Sequence, residues 1–69
     1  MTVVKVIELI GSSKTSFEDA VKDALQEACK TVHGIKEVWV KDLKVCVQDN
    51  EITEYRAGVK LSFQVDSDR

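Results

Sequence analysis

A-G-V-K-L-S-F-Q-V, running from Ala57 to Val65, places an apolar side chain at every second position. Ala57, Val59, Leu61, Phe63 and Val65 line one face, and Gly58, Lys60, Ser62 and Gln64 line the other. A period of two belongs to a pleated strand, whose successive side chains point to opposite faces. Carried back through Ile52, Thr53, Glu54, Tyr55 and Arg56, the pattern predicts a strand of roughly fourteen residues, where five or six are usual. At about 3.3 Å per residue it would reach on the order of 46 Å. A chain of 69 residues holds nothing else long enough to cover it.

Just upstream, Gln48-Asp49-Asn50-Glu51 supplies turn-forming residues. The β-rich run before it, Ile35 to Val47, should therefore join the long strand in a hairpin. Its alternation changes phase: Val38 and Val40 set one parity, and Leu43, Val45 and Val47 set the other. One extra residue near Lys41-Asp42, a β-bulge, produces such a change and bends the strand. Trp39 lies on the face opposite Val38 and Val40, alongside Glu37 and Lys41. An indole flanked by charges either meets a neighbouring subunit or stacks on a ligand.

At the other end, V-V-K-V-I-E-L-I (Val3 to Ile10) reads as a short strand buried on much of both faces. Gly11-Ser12-Ser13-Lys14 is expected to turn the chain. Thr15 then opens a helix, with Glu18 at capping-box spacing. Phe17, Ala20, Val21, Ala24, Leu25, Ala28 and Val32 recur in steps of three and four. Of these, Phe17, Val21, Ala24, Leu25 and Ala28 are expected to face the sheet. Gly34 should end this helix of about eighteen residues and roughly 27 Å, with Lys30 and His33 at its negative end. The polar tail Asp66-Ser67-Asp68-Arg69 is expected to fray.

The order strand, helix, long strand, long strand defines one α+β domain over residues 1–69, a three-stranded antiparallel sheet partly wrapped around one helix. Chains this short bury only about three-fifths of their unfolded surface, and here the helix covers little more than half the hairpin. Half-covered apolar faces and free sheet edges call for association, so a homo-oligomer is expected. A net charge of −2 with scattered lysines and arginines gives no footprint for nucleic acid. No apolar run approaches membrane-span length, and a cytoplasmic location is the simplest expectation. Cys29 and Cys46 lack metal-site spacing, and His33 is the single histidine. No nucleophile-and-base constellation or phosphate-binding glycine loop points to an enzyme.

Taken together, these pieces resemble the dodecin family. V-I-E-L-I-G-S-S (Val6 to Ser13) is similar to its first strand and turn, and S-F-E-D-A-V-K-D-A-L-Q-E-A (Ser16 to Ala28) to its helix. V-K-D-L-K (Val40 to Lys44) and E-Y-R-A-G-V-K-L-S-F (Glu54 to Phe63) resemble its second and third strands. The resemblance implies a hollow dodecamer that sequesters a small ligand, in many members a flavin (FMN, FAD or riboflavin) held for storage or quenching.

The resemblance also implies where a flavin site would lie. The family's ring-stacking tryptophan falls at Glu37, with Trp39 two residues later and about 7 Å along the strand. Its edge-binding glutamine falls at Arg56, which cannot accept a hydrogen bond. Lys44 keeps a basic residue able to meet a flavin phosphate. The family's flavin site is thus altered at two of three positions, and an ion pair between Glu37 and Arg56, within the subunit or across a symmetry axis, would fill it. Calcium is the alternative the resemblance offers, as some dodecin-like proteins that lack the flavin residues are calcium-binding shells. No EF-hand-type spacing nominates its ligands.

Overall fold

The computed structural model describes residues 2–66. Four elements follow in the expected order: β1 (Thr2–Ser13), α1 (Phe17–Cys29), β2 (Ile35–Gln48) and β3 (Glu51–Asp66). The strands form one antiparallel sheet in the order β1-β3-β2. The strand with the most regular alternation is thus the central one, hydrogen-bonded along both edges. β2 and β3 meet at a two-residue turn in which Asp49 (φ 53°) and Asn50 (φ 65°) are both left-handed. This is the hairpin geometry matched to sheet twist, and Asp and Asn tolerate it better than most residues.

The expected bulge is present, as the β2–β3 register slips between Val40 and Asp42. Further irregularities fall between Ile35 and Glu37 and between Cys46 and Val47. The slip lets Val38 and Val40 share a face with Leu43 and Val45 despite their opposite parity. Their partners on β3 are Leu61, Val59, Ala57 and Tyr55.

α1 crosses this face over β1 and β3. The core is Ala20, Ala24 and Ala28 of the helix against Ala57, Val59 and Leu61 of β3, with Ile7, Leu9, Val21, Ile35 and Val38 packed around it. Phe17 meets Tyr55 edge-on, with centroids 5.1 Å apart. Leu25, expected to face the sheet, is only half-buried, and so are Phe17 and Val21. The alanine stripe takes the closest approach and tilts the larger side chains to its flanks.

Three boundaries differ from the expectation. β1 continues through Gly11, Ser12 and Ser13, paired with Ala57, Arg56 and Tyr55. Turn-type residues stay extended there because β3 offers partners and the helix needs a glycine. A Cβ at Gly11 would collide with the backbone carbonyl of Ala20 and lie 3.0 Å from the Ala24 Cβ. The helix is capped by Ser16, not Thr15: its hydroxyl accepts from the Asp19 amide at 3.0 Å. Thr15 instead donates its amide to the buried Ser13 Oγ at 2.9 Å. Finally, α1 has thirteen residues and is capped at Lys30. Thr31 and Val32, β-branched and poor helix formers, only complete a turn by donating to the Ala28 carbonyl. Gly34 (φ 76°) and His33 lie in the connection to β2, beyond the helix end. Asp66 closes β3, and the rest of the tail expected to fray, Ser67 to Arg69, lies outside the described residues.

A helix of thirteen residues spans about 20 Å, against a subunit 57 Å long. Leu43, Val47 and Ile52 toward the hairpin tip are more than half exposed, as are Val4, Val6 and Ile10 on the face away from the helix. Apolar surface is therefore uncovered on both faces.

Candidate functional site on the outer sheet face

The four residues singled out for a ligand site, Glu37, Trp39, Lys44 and Arg56, lie on the face away from the helix. Directly paired residues of neighbouring antiparallel strands share a face, so the register resolves this surface into rows across the sheet. From the open end of the hairpin toward its tip they are Val6–Ser62–Glu37, Glu8–Lys60–Trp39, Ile10–Gly58–Asp42 and Ser12–Arg56–Lys44. Cys46, opposite Glu54, follows.

Three of these four rows carry polar contacts. Ser62 donates to a Glu37 carboxylate oxygen at 3.2 Å. Lys41, at the bulge, reaches across the sheet to donate to Glu8 Oε2 at 3.0 Å, and the Lys60 ammonium lies 3.7 Å from the same oxygen. Lys60 also stands over the Trp39 indole, 5.3 Å from its centroid. The hydrogen bond from Lys41 holds the Glu8 carboxyl below its ordinary range, helped by the charges of both lysines. Arg56 donates from Nε and Nη2 to one oxygen of Glu54, at 3.2 and 3.1 Å. That bond lowers the Glu54 pKa, assisted by Ser12 and by the Cys46 thiol at 3.7 Å. A concavity of about 280 Å³ opens between the second and fourth rows, lined by Glu8, Ile10, Lys41, Asp42, Lys44 and Gly58. Gly58 makes room for it: a Cβ there would run into the Asp42 carboxylate, which folds over the glycine.

The four residues singled out from the sequence thus form two pairs. Glu37 and Trp39 are two residues apart on one strand face, and Lys44 and Arg56 are directly opposed. The expected ion pair between Glu37 and Arg56 does not form within the subunit. Glu37 lies opposite Ser62, six residues from Arg56 on β3, which is about 20 Å along a strand. Each finds a nearer partner, Ser62 for Glu37 and Glu54 for Arg56. Glu8, Asp42, Gly58 and Lys60 complete the surface and were not singled out. The signal for Glu8 was its place as a lone carboxylate in the apolar run V-I-E-L-I. Which cations it meets depends on the β1–β3 register.

The face offers an exposed indole, carboxylates that only accept, a guanidinium that only donates and the three lysines Lys41, Lys44 and Lys60. It can bind and orient a small molecule; its thiol, Cys46, meets only the Glu54 oxygen that Arg56 already engages, which leaves that carboxylate a poor base. Among the described residues no three His, Cys, Asp or Glu side chains gather as a metal site.

A β-α-β-β subunit with one short helix on a long, half-covered antiparallel sheet is the dodecin fold, that of a family of non-enzymatic binding proteins. The chain belongs to the dodecin family, whose model matches residues 3–66. It is 35% identical over 65 residues to the calcium dodecin of Mycobacterium tuberculosis, covering 94% of this chain and 92% of the relative. It is 28% identical over 64 residues to the dodecin of Thermus thermophilus, covering 93% of each. A crystal structure of a Thermus thermophilus protein superposes with a TM-score of 0.91 at 26% identity, over 99% of this chain and 100% of the other.

Proposed function

We propose that this chain is the subunit of a hollow, cytoplasmic dodecamer that sequesters a small ligand, and that the ligand is not a flavin held in the family manner. The observation that carries this is the pairing on the outer face, with Glu37 bonded to Ser62 and Arg56 to Glu54 where a ring stack and an amide edge contact would be required. A planar ring placed there meets a carboxylate, which cannot stack. Its imide edge, with acceptors and a donor, meets a guanidinium that only donates. The assembly is supported by Val4, Val6 and Ile10, each more than half exposed on a face that no element of the subunit covers.

The test is a titration with riboflavin and FMN followed by flavin emission. The unmodified protein is expected to leave both unquenched at micromolar concentration, and Glu37→Trp with Arg56→Gln to introduce quenching. Submicromolar binding by the unmodified protein would refute the proposal.

The calcium dodecin relative supports a second reading, calcium as the ligand. Glu8 and Asp42 line one concavity, but calcium takes about six to eight oxygen ligands. A site in this protein would have to draw carboxylates from several subunits. Calorimetry with calcium chloride tests it, and absence of heat at millimolar calcium would remove it.

A further inference from the structure

Trp39 is the chain's single tryptophan, and with 65% of its surface exposed it is the obvious platform for a flat ligand. One face of its indole is nevertheless taken. Lys60, its direct partner on the central strand, places its ammonium 5.3 Å from the ring centroid, within the range of an attractive cation–π contact. The lysine is held there from the other side. Glu8 is the residue opposite Lys60 on β1, and its carboxylate lies 3.7 Å from the ammonium and 3.0 Å from that of Lys41. Carboxylate, ammonium and indole thus stand in one row across all three strands.

We propose that Lys60 is a specificity-determining residue: it occupies one face of Trp39 and, braced by Glu8, keeps a neutral planar ring from stacking there. This rests on the reading of the outer face as a ligand surface and deepens it by stating what Trp39 rejects. A neutral ring reaches that face only by returning the ammonium to water and giving up its contact with the indole. For an exposed cation–π contact the displacement lowers affinity about two- to fivefold.

Riboflavin is the suitable probe, since it carries no phosphate for Lys44 to attract. Lys60→Met should bind riboflavin about two- to fivefold more tightly than the unmodified protein. Lys60→Arg, whose guanidinium also sits on an indole, should stay at the unmodified value, and Glu8→Gln should show a smaller gain. Acrylamide quenching of Trp39 reads the same face without a ligand and should rise in Lys60→Met but not in Lys60→Arg. Quenching unchanged by Lys60→Met, or a riboflavin affinity equal to that of the unmodified protein, would overturn the inference. Should Lys60→Met fail to fold, unchanged quenching in Glu8→Gln would overturn it instead. Submicromolar riboflavin binding by the unmodified protein would refute the proposed function alone, because the ratio between variant and unmodified protein still decides the role of Lys60.

Discussion

Adding one methyl group at each of two glycines of the sheet should have unequal consequences, and the contrast tests the packing that shapes the subunit. At Gly11 the new Cβ would meet the Ala20 carbonyl oxygen and the Ala24 Cβ. Those atoms belong to a helix already seated on its alanine stripe, so no side-chain rotation relieves the clash and α1 has to lift. Overpacking costs about 1–3 kcal/mol where side chains can adjust; against a backbone atom, Gly11→Ala should reach the top of that range. A domain of this size loses about 4–8 °C per kcal/mol, so its melting temperature should fall by roughly 12 °C or more. At Gly58 the same methyl meets only the Asp42 carboxylate, the end of an exposed side chain that can swing aside. Gly58→Ala should therefore stay within about 1 kcal/mol of the unmodified protein, with some gain from a less flexible unfolded chain. Thermal unfolding followed by circular dichroism, at equal chain concentration because assembly couples to stability, separates the two. Equal losses at Gly11 and Gly58 would refute the packing account, and a harmless Gly11→Ala would show that the helix does not approach β1 so closely.

The core gives a second contrast: Leu61→Ala, a fully buried truncation on the central strand, should cost about 2–5 kcal/mol, whereas half-buried Leu25→Ala should cost less than about 2 kcal/mol by urea titration. Glu8 has a folded pKa below its ordinary value of 4.5, so its contribution is present above that value and fades as pH falls below it through the folded pKa. Acid unfolding curves of Glu8→Gln should therefore run flatter than those of the unmodified protein in that window, and identical slopes would show that the lysine contacts do not persist in solution. Cys29 and Cys46 are free thiols, and thiol counting under denaturing, non-reducing conditions should find both; a loss restored by reductant would show an intermolecular bridge.

Much of the fold was legible because it rests on local signals. The alternation from Ala57 to Val65 marks a strand whatever it pairs with, and Asp49-Asn50 marks the hairpin through left-handed tolerance. The phase change at Lys41-Asp42 marks the bulge, since only an extra residue reconciles the two parities. Errors arose where tertiary partners overrode local preference. Gly11 to Ser13 look like a turn but remain extended, because β3 pairs with them and α1 packs on the glycine. Thr15 has the spacing of a cap, but Ser13 engages its amide and leaves the cap to Ser16. The site was less legible, since cross-strand neighbours depend on register. Nothing in Lys60 or Glu8 alone names Trp39 as their companion, and Glu37 and Arg56 look like a pair only until the register sets them six residues apart along β3.

A native mass spectrum of the protein purified without added cofactor tests the central claim most directly, because it reads assembly and cargo together. A species of twelve times the 7.7 kDa chain, with no added flavin mass, is the expected result. A monomer at micromolar concentration, or a dodecamer that retains flavin, would contradict it.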